Sequence, residues 1–397
     1  MDNTYMVSIQ KAIQLVDTYT TTSKKMTSSL LNALDSFLAE NVYSPINMPP
    51  FHQSAMDGYA VLYDDKHLNN FILVDEIKAG DNNQKILKPG EAVRIFTGAP
   101  TPINANAVIM QEKTSVKENI LEINDVLSPF KNIRLTGEQI QEKELALAKG
   151  SQLNPAAIGF LATLGITEVL VYKKPTIAIV VTGNELVVPG NLLEFGQIYE
   201  SNAIMLQTAL LKNRFADITI SKVKDNYIDT KNSLEQAIDK NDFVLISGGI
   251  SVGDYDFVGK ALLELNTHQV FYKIKQKPGK PLFFGTNNNT TIFALPGNPA
   301  SALTCFYIYI ETALQKFIGN PKYQKQTIQL KLEEEYIKKG IRGEFLKAKI
   351  NGDSVKILSN QSSAMLNTFA EANALVYLEE GLETFSKNKP VTTYIID

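Results

Sequence analysis

The sequence predicts a multidomain α/β protein: a central α/β/α domain with a mostly parallel sheet, an inserted β-rich domain and a small C-terminal β-barrel-like domain. Three observations predict it. Between Thr176 and Pro299, apolar β-branched runs alternate with helical periodicity, the pattern of a parallel sheet covered on both faces. Between Tyr43 and Gln141, short β-type runs are broken by Gly, Pro and Asn. Beyond Pro321, two-residue alternation appears on both sides of Asn351-Gly352, a strong hairpin signal. The expected divisions are 1–43, helical segments packing with 143–172; 44–142, the β-rich insert; 173–320, the α/β domain; and 321–397, the terminal barrel.

Taken in order, Ser8 to Tyr19 places Ile9, Ala12, Ile13, Leu15 and Val16 at mostly helical spacing, and Ser28 to Glu40 reads as a second helix. Pro45, Pro49 and Pro50 end that character. Val61 to Tyr63, Phe71 to Val74, Ala92 to Phe96 and Ala107 to Met110 are the expected strands of the insert. Asn154 to Leu164 is again helical, with Pro155 behind an Asn cap. A buried strand from Thr176 to Val181 follows, then a helix from Ser201 to Lys212, a strand from Asp217 to Val223 and a helix from Thr230 to Lys240. In the terminal region, Thr327 to Leu332, Glu344 to Ile350, Ser354 to Leu358, Ala374 to Tyr377 and Val391 to Ile396 are strand-like. No repeat of 20–50 residues and no low-complexity tract occurs.

Composition narrows the function. The 397 residues carry a net charge of −3 with dispersed basic residues, so no field favours nucleic acid. The single cysteine, Cys305, excludes an internal disulfide and lies in an apolar run that suits a buried, inert thiol. His52, His67 and His268 are far apart, against a zinc site. No apolar run reaches the roughly 20 residues of a membrane span, and Met1-Asp2-Asn3-Thr4 has no basic, apolar leader character. A cytoplasmic protein is expected.

The chemistry concentrates between Phe243 and Phe306. Phe243-Val244-Leu245-Ile246 stops at Ser247-Gly248-Gly249, as a buried strand empties into a loop where backbone approaches a ligand. Leu295-Pro296-Gly297-Asn298-Pro299 reads as a strand end and a capped helix start, aiming free N–H groups at the same place. Strand ends deliver Glu185, Asp225, Asp254 and Asp256 to one sheet edge, where a cation or proton must offset like charges. Lysines flank the stretch at Lys273, Lys277 and Lys280. The expectation is a phosphorylated anionic ligand with a divalent metal.

Ser-Gly-Gly-Ile-Ser-Val-Gly-Asp-Tyr-Asp, Lys-Pro-Gly-Lys-Pro and Leu-Pro-Gly-Asn-Pro, in this order, resemble the MoeA/gephyrin E-domain family. Ser54-Ala55-Met56-Asp57-Gly58-Tyr59-Ala60, Arg94 to Pro100 and Gln361 to Leu366 resemble further signatures of it. The resemblance spans nearly the whole chain and implies a molybdopterin molybdenumtransferase, which inserts molybdate into adenylylated molybdopterin and releases AMP. It implies Asp57 and Thr97 as active-site residues, and Glu185, Asp225 and Asp256 as acids holding Mg²⁺. Asp57 would face the same cavity, from the same or the partner subunit. Lys273, Lys277 and Lys347, with the Ser363 hydroxyl, would bind molybdate. Thr182, Gly183, Ser247, Gly248, Gly249, Ser251, Gly253, Pro296, Gly297 and Asn298 would cradle pterin and phosphate, with Lys280 on a phosphate or a nearby acid. Arg134 matches a third segment, but Gln139 stands where an aspartate is usual, and an amide holds no cation or proton equally well. Lys347 stands where arginine is usual and lacks its planar fork. A homodimer with shared sites is implied, and the molybdopterin adenylyltransferase is an implied partner. That adenylyltransferase and a non-catalytic gephyrin-like scaffold are the alternative readings.

Overall fold

The computed structural model describes residues 6–82, 85–250 and 257–396. Ser251, Gly253, Asp254 and Asp256 lie outside the described residues. The chain forms two compact units: residues 1–26, 35–39 and 170–397, and residues 27–34 with 40–169.

The first unit is organised by a six-stranded sheet in the spatial order Ile218–Val223, Ile177–Thr182, Phe243–Ser247, Thr290–Leu295, Pro281–Asn287 and His268–Lys273. The first four strands pair in parallel, and Pro281–Asn287 runs antiparallel to both its neighbours, so the sheet is mostly parallel as expected. Alternate residues enter two separate cores, as the strand pleat dictates. Ile177, Ile179, Val181, Phe243, Leu245, Phe293 and Leu295 pack with Leu206, Leu210, Phe306 and Tyr309. Ala178, Val180, Val244, Ile246, Ile292 and Ala294 face Leu234, Ile238, Val258 and Leu262 on the other side. A helix from Pro299 to Phe317, widened into a π-type turn at Phe306–Ile310, crosses the first of these cores. Cys305 is buried within it. Helix Ile9–Tyr19 packs on the same helix, and Lys316 Nζ meets Asp17 Oδ1 at 2.9 Å.

The terminal region closes into a five-stranded barrel. Gly343–Asn351 pairs Ser354–Ile357, which leads through Thr327–Leu332 and Pro390–Ile395 to Ala374–Leu378 and back to Gly343–Asn351. Leu330, Leu346, Val355, Val376 and Val391 fill it. The hairpin at Asn351-Gly352 forms, with Gly352 at φ +62°. A short strand, Gln276–Lys277, pairs in parallel with the first residues of Gly343–Asn351 and sets Lys277 beside Glu344.

The second unit carries a mixed six-stranded sheet in the order Ala107–Met110, Gly58–Val61, Glu91–Ile95, Asn70–Ile77, Ile120–Ile123 and Thr114–Lys117. Its two faces hold separate cores, Ala60, Val93, Ile95 and Val108 on one and Val61, Ala92, Ala107 and Ile109 on the other. Helix Pro155–Thr163 starts at Asn154, whose side chain accepts from Ala157 N.

The expected helix from Ser28 to Glu40 is absent. Lys25–Ser29 is a strand, and Ala33 N–H closes a single turn onto Ser29 O and Leu30 O. Asp35 at φ +60° then breaks any helix, and Leu38 bridges antiparallel to Val171. Leu31 is 85% exposed, so the apolar spacing did not correspond to one buried face. Pairing with other segments outweighed the local helical pattern.

Gly319 follows the long helix at φ +72°, and an added Cβ would stand 2.1 Å from Tyr172 Cδ2. Gly319→Ala is expected to destabilise the first unit by about 2 kcal/mol or more, from backbone strain plus overpacking. Urea denaturation checks this; an unchanged midpoint would refute the packing argument.

Candidate functional site

Three parallel strands end together. Val181 is level with Ser247 and Ser247 with Leu295, so the turns Gly183 to Glu185, Gly248 to Gly249 and Pro296 to Asn298 leave one edge of the sheet. This is the edge at which open α/β sheets bind ligands. A cavity of about 460 Å³ opens there, lined by Thr182, Glu185, Leu186, Ile198, Tyr199, Glu200, Ser201, Asn202, Ser247, Gly248, Gly297, Asn298 and Pro299. Glycine is required at Gly248: with φ +92°, a Cβ would lie 2.5 Å from Thr182 O. Thr182 and Ser247 are buried in its floor, whereas Glu185 is exposed.

Asp225 ends the neighbouring strand, and its N–H donates to Asn184 Oδ1 at 3.1 Å, which ties its loop to that of Glu185. Among the described residues, no three His, Cys, Asp or Glu side chains group as a ready metal cage. Two carboxylates on joined loops still suit Mg²⁺, a hard cation that takes one or two carboxylates and keeps its waters.

The terminal barrel supplies the rest of this edge. Ala300 N–H donates to Ser363 O at 3.0 Å, and Asn298 Nδ2 donates to Ser363 Oγ at 3.1 Å. This corrects one expectation. Asn298 occupies the cap position but its side chain makes no cap bond, and of the first two helical residues Pro299 has no N–H and that of Ala300 is taken by Ser363 O. The helix start is used to hold the Ser363 loop.

Lys347 is only 3% exposed. Its ammonium donates to Asn360 O at 2.9 Å, Ser362 O at 3.2 Å and Met365 O at 3.1 Å, which accounts for all three protons. Gln361 brackets its backbone, accepting from Lys347 N and donating to Lys347 O. Burial lowers the Lys347 pKa. Its charge is turned onto the loop that carries Ser363.

Lys277 Nζ meets Glu344 Oε1 at 3.1 Å, and Tyr336 Oη donates to Glu344 Oε2 at 3.2 Å. Glu344 is 1% exposed while Lys277 is half exposed, so a buried acid holds a cation at the surface. Lys273 is buried at the end of its strand, and Lys280 is exposed beyond Gly279. Gly279, at φ +89°, leaves no room for a Cβ against Cys305 Sγ at 2.8 Å. The Cys305 thiol is pushed up to about 12 by burial, so it stays protonated and inert.

In the second unit, three distant segments meet. Gln53–Ser54 pairs with Ile133–Arg134, Ser54 N–H donates to Ala99 O, and Gly98 N–H donates to Ser54 O. Asp57 Oδ1 accepts from Thr97 N at 2.7 Å and Thr97 Oγ1 at 2.8 Å. Those backbone and hydroxyl bonds from Thr97, with the Arg94 charge adding to them, hold the carboxyl below its usual range. Arg94 stacks between the Tyr59 and Phe96 rings at 5.0 Å from each and donates to Gly58 O. Arg134 and Gln139 are exposed.

Sequence reasoning missed Asn202, buried at the first turn of helix Asn202–Lys212, and Glu344, buried in a barrel strand. An Asn after a helix-starting Ser looks like a second cap, which hid the first. For Glu344 the signal was an acid directly before Phe345-Leu346, an apolar pair that faces one core on each side of the strand.

The Asp57 carboxyl is expected to titrate below the ordinary carboxylate range. Because its folded pKa is depressed, its bonds favour the fold above the ordinary pKa and are lost as pH falls through the folded value. Thr97→Val should move the titration upward without restoring it fully, since the Thr97 N–H remains; carbon-detected NMR of the carboxyl checks this. Lys347→Met should raise hydrogen exchange across residues 360–365 and cost about 1–3 kcal/mol, because three carbonyls lose a buried charged donor. Unchanged exchange in that loop would refute the cage.

Three family models match in sequence: the MoeA N-terminal region (domain I and II) over residues 7–165, the probable molybdopterin binding domain over 178–316, and the MoeA C-terminal region (domain IV) over 329–396. A molybdopterin molybdenumtransferase of Haemophilus influenzae is 34% identical over 372 residues, covering 92% of each chain. One from Staphylococcus epidermidis is 30% identical over 403 residues, covering 98% of this chain and 96% of that one. A crystal structure of a molybdopterin biosynthesis moea protein from Pyrococcus horikosii superposes with a TM-score of 0.85 at 29% identity, covering 98% and 99% of the two chains.

Proposed function

We propose that this chain, which belongs to the MoeA family of molybdopterin molybdenumtransferases, inserts molybdate into adenylylated molybdopterin with Mg²⁺-dependent release of AMP. The observation that carries this reading is the cavity at the joined ends of three parallel strands, with glycine turns in its floor and carboxylates at its mouth. Backbone at Gly183, Gly248, Gly249 and Gly297 lets pterin and phosphate approach closely, as no side chain intervenes. Ser247 and Thr182 supply hydroxyls in the floor.

Glu185, Asp225 and Asp256 would hold Mg²⁺. Bound there, it supplies Lewis-acid stabilisation of charge on phosphate oxygens. Lys277, Lys280 and Lys273 offer cationic charge for molybdate, a tetrahedral dianion, and Glu344 keeps Lys277 in place. Ser363 adds a hydroxyl on the loop that Lys347 orders. Asp57, kept ionised by Thr97, and Arg134 act from the second unit, in a homodimer with shared sites. On the family resemblance, Ser251 and Gly253 would also contact pterin and phosphate. The dithiolene of the substrate provides the sulfurs, which agrees with the inert Cys305. No helix among the described residues is long and apolar enough to cross a membrane. We place the protein in the cytoplasm, receiving its substrate from the molybdopterin adenylyltransferase.

Purified protein should release AMP from adenylylated molybdopterin when both Mg²⁺ and molybdate are present. Asp225→Ala and Asp256→Ala should each lower that rate about 100-fold or more, the scale of a lost metal contact. AMP release that ignores molybdate, or full activity in both variants, would overturn the reading.

A further inference from the structure

The side chain of Asn202 has a bonding pattern that fixes the behaviour of Ser247. Asn202 is 8% exposed and starts helix Asn202–Lys212 beside the cavity. Its Nδ2 donates to Ser247 Oγ at 2.8 Å and to Gly297 O at 2.8 Å. The amide cannot be turned the other way, because Gly297 O only accepts and Oδ1 would face it lone pair to lone pair. Oδ1 itself is enclosed without a hydrogen-bond partner. Asn202 thus acts solely through its two donor protons, which tie the ends of strands Phe243–Ser247 and Thr290–Leu295 to one helix.

The consequence falls on Ser247. A hydroxyl that accepts from an amide still has its own proton to give. Thr182 Oγ1, also in the cavity floor, is enclosed without a partner, so it does not take that proton. Among the described residues, the polar partner of Ser247 Oγ is Asn202. We propose that Asn202 is a positioning residue that polarises Ser247, so that the Ser247 hydroxyl donates to an acceptor oxygen of the bound molybdopterin. This deepens the proposed substrate-binding role of Ser247 and rests on that reading. The acceptor is a phosphate oxygen or the ring carbonyl of the pterin, which present the same chemistry to a hydroxyl donor.

Equilibrium binding of molybdopterin to the full chain tests this independently of AMP release. Asn202→Asp keeps the shape but replaces two donors by acceptors, reversing the Ser247 bond and opposing Gly297 O. It should weaken binding about tenfold or more, the scale of a lost hydrogen bond to a charged or buried group. Ser247→Ala should weaken it similarly while keeping the Asn202 bond to Gly297. The double variant should bind no more weakly than the weaker single one, since both remove the same contact. Unchanged binding in Ser247→Ala overturns the proposal however Asn202→Asp folds, as do penalties that multiply in the double variant. Repeating the Ser247→Ala comparison with dephosphorylated molybdopterin separates the acceptors: a vanished penalty assigns phosphate, a retained one the pterin ring. Binding without molybdate-dependent AMP release would overturn the transferase reading and leave this inference standing.

Discussion

The constraint on which the first unit depends is the level pairing of its three central parallel strands. Ile177–Thr182, Phe243–Ser247 and Thr290–Leu295 are buried on both faces, so every residue of the three strands is committed to a core or to a hydrogen bond. A shift of one residue would exchange side chains between the two cores and mispack both. Holding that register brings three turns to one edge. The cavity follows from the sheet rather than from any affinity among the turns themselves.

The barrel then completes that edge by means that avoid free charge. Lys347 is surrounded by carbonyl oxygens, and the buried Glu344 is met by Lys277 and Tyr336. An unpaired charge in either place would cost several kcal/mol. Each buried ion is paired or caged, and each in turn fixes a surface group: the Ser363 loop in one case, the Lys277 ammonium in the other. A substitution at either buried ion therefore loosens the surface group it holds as well as the barrel around it.

The second unit shows the same economy on a smaller scale. Gly58 has no room for a side chain, because a Cβ would collide with Ile109 O at 1.9 Å, and this close strand approach aims Asp57 at Thr97. Two hydrogen bonds from Thr97 to one carboxylate oxygen, with the Arg94 charge adding to them, hold its pKa below the ordinary range. The residue is thus prepared as a fixed negative charge.

The alternation of strands and helices, the β-rich insert, the terminal hairpin and the loops at strand ends are legible in the residues alone, because period-two and period-3.6 burial and glycine turns are local properties. The sequence also sufficed for an inert Cys305, since an apolar helical run buries its thiol. That Ser28 to Glu40 pairs instead of coiling depends on long-range contacts, because the partner at Val171 is more than a hundred residues away. The same holds for the helix start at Asn298, taken by a loop from the barrel, and for Lys347, whose acceptors are carbonyls invisible in side-chain chemistry. Asn202 and Glu344 escaped for one reason: a polar residue declares its role only when burial shows which partners it must satisfy.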